Sequence, residues 1–473
     1  MRRREFLLGV AGSSALASAG TVRGHPGPYR YLGRVPITNA REAVPGPNGD
    51  YTYVAATSGF AVVDTKLPRE PKLVVERRNL LSDRETGPLR DVQDVKVEGD
   101  RLVVAGPADP YRNDVLQGFL LYDVSNPEEP QRLAFFETDY PIHNCFIRDG
   151  HVYLTGNNRG RNPLVVVDVS GDEPTEVARW SLLDRDDRWR NVSPGLRTIH
   201  DVWVGRDGRA YLAHWDAGTW ILDVSDPTSP QYVAQIGGRP LSKLASIPQE
   251  NTRNRVLRLP GNAHYTMPND DGTLLGVNKE AWQVGGKGRP GGVELWDISD
   301  PKDAQKLSTI QAPPSPDPSI GGTWTTSHNF DIVGDRLFTS WYEGGVKIHD
   351  VSDPANPEQL AWWRDPENAV FWTSKLAAEK FFVASSMGRP NDEKGALYTF
   401  GNHPGQQKDA PLLTQTGNAT KATEVSRATT ENEATSNETT TQSSGSSGGA
   451  PGFGISATVA ALLGGAAWRE LRK

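Results

Sequence analysis

The sequence predicts an all-β chain: a seven-bladed β-propeller of four-stranded blades, closed by an N-terminal strand. Three observations carry this. A phrase of Gly, alternating apolar residues, Asp and then Ser-Asp-Pro-x-x-Pro recurs six times, at intervals of 45 to 74 residues. The chain holds 48 Gly and 35 Pro in 473 residues, which favours many short strands and turns over long helices. A seventh unit has three strands and no fourth, and an N-terminal segment has the pattern of the missing one.

In chain order, Tyr29-Arg-Tyr-Leu-Gly-Arg-Val35 comes first and resembles the last strand of every later unit, such as Tyr232-Val-Ala-Gln-Ile236. The phrase then appears as Gly59–Asp64, Gly118–Pro130, Leu164–Ser170, Gly218–Pro230, Gly292–Pro301 and Gly345–Pro357. Its apolar run is a strand, and its Ser, Asp and Pro are turn chemistry. Two strands precede each phrase and one follows. In the third unit these are Ile142–Arg148, His151–Gly156 and Thr175–Leu182. The unfinished seventh unit reads Phe371–Leu376, Lys380–Ser386 and Ala396–Phe400. The propeller therefore spans residues 28–402.

The phrase resembles the LVIVD repeat family, whose repeats form propellers on bacterial and archaeal surface proteins. The resemblance implies architecture and leaves function open, because many chemistries share the fold.

Both ends read as addresses. Residues 1–19 join Arg3-Arg4-Glu5-Phe6-Leu7 to a short apolar stretch ending Ala17-Ser18-Ala19, and resemble a twin-arginine export signal. Residues 403–450 read as a disordered stalk, its part from 414 onward dominated by Thr, Ser, Asn, Glu, Ala and Gly. Residues 451–473 pair Pro451-Gly452-Phe453 with an apolar run and Arg469, Arg472 and Lys473. They resemble the PGF-type sorting signal of archaeal surface proteins, which implies replacement of the tail by a lipid. A plain membrane anchor is the other reading. Either places the protein outside the cell, on the outer face of the membrane. Sequons put glycan acceptors at Asn191, Asn418 and Asn437.

The formal charge is −7. Each processed end carries +2, so the mature chain stands near −11. This suits high salt and argues against a nucleic-acid partner. The single Cys145 excludes internal disulfides and Cys-based zinc modules. It reads as a small apolar filler facing the same way as His143, with a soft-ligand role as the alternative. Within residues 28–402, no G-x-S-x-G, P-loop or strand-following G-x-G-x-x-G is present.

Aligning the innermost strands puts His143, His200, His264 and His328 in one register in four consecutive blades, with Gln93, Trp372 and Arg41 at the other three. Four imidazoles should form an arc at the channel mouth. Long loops collect on that face, where function usually sits. Asp216, Glu280 and Glu343 end second strands there. Histidine with carboxylate suits one transition metal, Cu, Zn, Fe or Mn, with the acids as ligands or as groups orienting the imidazoles from behind. A wet polar channel mouth could equally repeat one histidine by duplication, with no ligand. Two functions stand. One is a surface-anchored module binding a protein, glycan or small ligand on the long-loop face. The other is a metal-dependent oxidoreductase or lyase. Copper-binding propeller enzymes such as the selenium-binding protein and methanethiol oxidase family offer a fold-level analogy for the second.

Overall fold

The structure, a computed structural model, describes residues 28–109, 114–171, 173–388 and 394–413. The export signal, the stalk from residue 414, the sorting signal, Asn418 and Asn437 lie outside them. Among the described residues, no helix is long and apolar enough to cross a membrane.

Seven antiparallel sheets follow one another around a channel. The innermost strands of blades 1 to 6 are Ala40–Pro45, Asp94–Glu98, Ile142–Arg148, Asp201–Val204, Ala263–Pro268 and Phe330–Val333. Blade 7 splits its innermost strand into Val370–Phe371 and Lys375–Ala378, with Trp372 to Ser374 between them. As expected, the N-terminal segment closes the ring. Tyr31–Pro36 pairs antiparallel with Ala396–Gly401 of blade 7 as its outermost strand, so Ala396–Gly401 is not left as an open edge.

The repeated phrase has a physical reason. A Cβ at Gly59, Gly118, Gly292 or Gly345 would collide with a carbonyl oxygen of the neighbouring fourth strand. Only glycine lets the third and fourth strands meet there. At the other end of the phrase, Asp223 accepts from Ser225 N–H at 2.9 Å and Ser225 Oγ at 2.6 Å. Asp168 with Ser170 and Asp350 with Ser352 repeat this. The Asp of the phrase serves the turn.

The core is distributed. Buried apolar clusters fill each of the seven seams between blades, for example Val103, Phe119, Ile142 and Leu154 between blades 2 and 3. Among the described residues, the α-helices are short and sit in the long loops: Leu182–Arg185, Leu241–Ala245 and Thr252–Val256. The opposite face carries tight turns.

One stretch departs from expectation. Residues 403–413, assigned above to the stalk, are packed against blade 6. Gly405–Gln406 pairs in parallel with Glu358–Trp363 as a fifth strand. Arg364 Nε donates to Pro411 O at 2.7 Å, and Gln407 exchanges hydrogen bonds with the Arg364 backbone. A two-residue strand has no period for a sequence reading to detect.

Candidate metal centre

The innermost strands of blades 1, 3 and 5 each break register, between Ala40 and Ala43, Ile142 and Cys145, and Ala263 and Thr266. A bulge makes two residues oppose one and re-aims side chains. Arg41, His143 and His264 fall inside these three bulges. His200 and His328 stand just ahead of their strands, tied by N–H bonds to Ala213 O and Ser340 O.

The four imidazoles meet. Ring centroids are 4.0 Å apart for His143 and His200, 3.9 Å for His200 and His264, and 4.6 Å for His264 and His328. His328 in turn lies 4.1 Å from Trp372. All four are buried, at 1 to 5 % exposure. They line a small, water-sized cavity with Gln93, Glu42, Asp94, Asn144, Asn329 and Trp372.

Three of the four imidazoles are hydrogen-bonded through Nδ1, and His264 Nδ1 makes no hydrogen bond. His143 Nδ1 lies 2.9 Å from Asp109 Oδ2, His200 Nδ1 3.1 Å from His264 O, and His328 Nδ1 2.6 Å from Trp372 O. His264 Nδ1 stands 3.0 Å from Glu280 Oε2. A backbone carbonyl only accepts, so Nδ1 of His200 and His328 carries the proton. In the neutral ring Nε2 then carries the lone pair. Buried His200 Nε2 has no hydrogen-bond partner. Burial, helped by neighbouring imidazoles, holds His200, His264 and His328 well below the ordinary imidazole range. Burial acts the same way on His143, but the Asp109 carboxylate outweighs it and raises that ring. Imidazoles held by a back-side oxygen are how proteins present nitrogen to a metal.

Glu280 belongs behind the arc. Ligand atoms of His264, Glu280 and His328 lie within 4.8 Å of one another, close enough for a shared ion. Yet Glu280 does not line the cavity, its Oε1 accepts from Tyr342 OH, and its Oε2 faces His264 Nδ1. We therefore read it as the group that orients His264. Burial pushes its carboxyl up to about 7, partly opposed by His328 and by the Tyr342 hydrogen bond.

The other two acids are elsewhere. Asp216 is fully buried and accepts from Arg239 Nε at 3.2 Å. Burial raises its carboxyl to about 6 against the pull of Arg239. Glu343 Oε2 accepts from the Trp324 N–H at 2.7 Å and shapes that loop. Neither lines the cavity. Cys145 does not follow His143 either. The bulge shifts the alternation, so Cys145 packs among Val103, Ile142 and Leu154, and its N–H donates to Asp94 Oδ2 at 2.8 Å. Asn191 is exposed at the end of a short 3₁₀ turn.

The site also contains residues that sequence reasoning passed over. Asp109 comes from a loop. Glu42, Asp94, Asn144 and Asn329 each follow a register position directly, and that recurring polar neighbour was a visible signal. Two lysines, Lys96 buried and Lys375 partly buried, pair with these acids. Lys96 pairs with Asp94, and Lys375 lies 3.6 Å from Glu42 and 3.3 Å from Tyr265 OH.

The LVIVD repeat model matches residues 48–75, in blade 1, and 198–236, in blade 4. No curated protein matches the chain in sequence. Among solved structures, the Cps50 (Swd1) β-propeller domain of Myceliophteria thermophila is 9 % identical, with a TM-score of 0.53 over 78 % of this chain and 99 % of that one. A functionally unknown protein from Desulfotomaculum acetoxidans is 12 % identical, with a TM-score of 0.45 over 69 % of this chain and 85 % of that one. A Lactobacillus plantarum protein is 11 % identical, with a TM-score of 0.47 over 74 % and 94 %. At such identities the first of these speaks for the fold alone. The chain is a seven-bladed β-propeller that carries LVIVD repeats.

Proposed function

We propose that this chain is an exported, surface-tethered propeller whose channel mouth holds one transition-metal ion on the arc of His143, His200, His264 and His328. The observation that carries this is four buried imidazoles in adjoining contact around one cavity, with Nδ1 of His143, His200 and His328 hydrogen-bonded from behind. Repetition of a solvent-bonding histidine has no need of such back-side oxygens. Copper, zinc, iron and manganese all accept imidazole. The centre serves metal-dependent chemistry of the oxidoreductase or lyase kind on a small molecule, since the cavity admits nothing large.

The deciding experiment is elemental analysis of the untagged, folded, full-length protein. We expect close to one equivalent of a single transition metal, lost in His200→Ala and His264→Ala while the fold persists. Trace metal that is unchanged in both variants returns the arc to a structural role.

A second reading has its own support. The long loops and the α-helices among the described residues stand on one face, at Leu182–Arg185, Leu241–Ala245 and Thr252–Val256. A rigid propeller with its loops on one side presents a binding surface for a protein or glycan. Retention of such a partner by the metal-free His264→Ala variant would favour this reading over the metal centre.

A further inference from the structure

The imidazoles occupy only blades 3 to 6. Apart from Trp372, the rest of the cavity wall is carboxylate and amide side chains. Gln93 Nε2 donates to Asp91 Oδ1 at 2.9 Å, Asn329 Nδ2 donates to Glu42 Oε2 at 2.8 Å, and Asn144 Nδ2 donates to Asp201. A carboxylate accepts and cannot donate, so only the NH₂ end of each amide can face it. That fixes the amides of Gln93 and Asn329 the same way round, carbonyl oxygen on the opposite side. Gln93 Oε1 and Asn329 Oδ1 are then left with no hydrogen-bond partner, and Glu42 Oε1, also without a hydrogen bond, has only the Lys375 ammonium at 3.6 Å. Their residues are 4 %, 4 % and 1 % exposed, and all three line the cavity. Buried acceptors are costly to leave unpaired, so three around one water-sized space call for an occupant that donates.

We propose that this wall is the selecting half of the metal site. It reserves the ion's open position for a small uncharged molecule that carries at least two N–H or O–H donors, and it turns small anions away. The inference rests on the metal reading above. Charge decides against a second cation: Glu42 has Lys375 at 3.6 Å and Asp94 has Lys96, so the wall is already balanced, and an ion on the arc would repel another. Lone-pair repulsion decides against an anion. Azide or cyanate would set its own lone pairs against those of Gln93, Asn329 and Glu42. A water-sized cavity limits the occupant to about one to three heavy atoms.

The test uses the full-length protein loaded with Co²⁺, whose visible spectrum reports what binds the metal. It is titrated with hydroxylamine as the donor-bearing probe and with azide as an anion of similar size. Hydroxylamine should perturb the spectrum with at least tenfold higher affinity than azide. In Gln93→Met and Asn329→Leu, which keep side-chain bulk and remove the oxygens, hydroxylamine should weaken at least tenfold while azide holds or strengthens. Azide binding as tightly as hydroxylamine to the unaltered protein overturns the proposal, and that result needs no variant to fold. Equal hydroxylamine affinity in the variants overturns it as well. Failure to retain cobalt is a different result: it removes the metal reading, and this inference falls with it.

Discussion

The carboxylate of Asp109 stands 2.9 Å from Nδ1 of His143, joining a loop of blade 2 to the innermost strand of blade 3. His143 is buried and Asp109 is half-buried, and each changes the other. Burial raises the Asp109 carboxyl to about 6, against the opposing pull of His143. The contact fixes the ring's rotation and directs Nε2 toward the cavity.

Asp109→Asn keeps the shape and can still bond to Nδ1, but it removes the charge. We expect metal affinity to fall about 10- to 100-fold, the usual effect of losing a carboxylate behind a ligating histidine. Thermal stability of the metal-free protein should change little. Competition with a chromophoric chelator measures the affinity, and an unchanged value would count against the role of Asp109.

Glu280 gives a pH signature in the metal-free protein. Its folded pKa, about 7, lies above its ordinary value of 4.5. Its contribution to stability is therefore fully present below pH 4.5 and is lost as pH rises through 7. Relative to Glu280→Gln, the unaltered protein should lose on the order of 3 kcal/mol between those values. The three imidazoles held below their ordinary range act oppositely, destabilising the fold as pH falls below 6.5. The comparison is thus made as a difference between the two proteins by urea unfolding. A difference that is flat with pH would place Glu280 in a more polar setting than the structure does.

The closing strand should be indispensable. Removing residues 29–36 exposes the Ala396–Gly401 edge and takes away buried Tyr29 and Val35. Each buried side chain is worth roughly 1.5–3 kcal/mol, and the bare edge invites pairing between molecules. Light scattering should show aggregation of the shortened protein. A monomer with native melting behaviour would contradict the closure.

Replacing Pro451-Gly452-Phe453 with alanines should leave the tail unprocessed. Intact-mass measurement of the protein from its native membrane fraction reads this directly. Arg469 to Lys473 retained in the unaltered mature protein would reject the sorting reading and leave the plain anchor.

Blade number, strand boundaries and the common register of His143, His200, His264 and His328 were legible because duplication wrote them several times over. What surrounds them was harder to read. The bulges at Arg41, His143 and His264 follow from no composition or period, yet they reverse the expected side of Cys145 and let Glu42 and Asn144 share the cavity with Arg41's neighbours and His143. Asp109 reaches His143 from a loop with no repeating pattern. Asp216 and Glu343 have the right residue type at the right strand end, but Arg239 and the Trp324 amide claim them. Position along a strand says which face a side chain approaches; it does not say which partner gets there first.

The parallel strand Gly405–Gln406 bears on how this molecule carries tension. The fourth strand of blade 6 rises toward the long-loop face, and a strand parallel to it leaves by the same side. A pull on the tail therefore runs along the strand and shears its bonds together, without unzipping them singly. Tyr29 N–H donates to Gln406 O at 2.8 Å, so the first and last described segments share a load at one point on the rim. A pull applied at residue 413 would then be taken up first by blades 6 and 7, and blades 3 to 5, which hold three of the four histidines, stay out of the line of force.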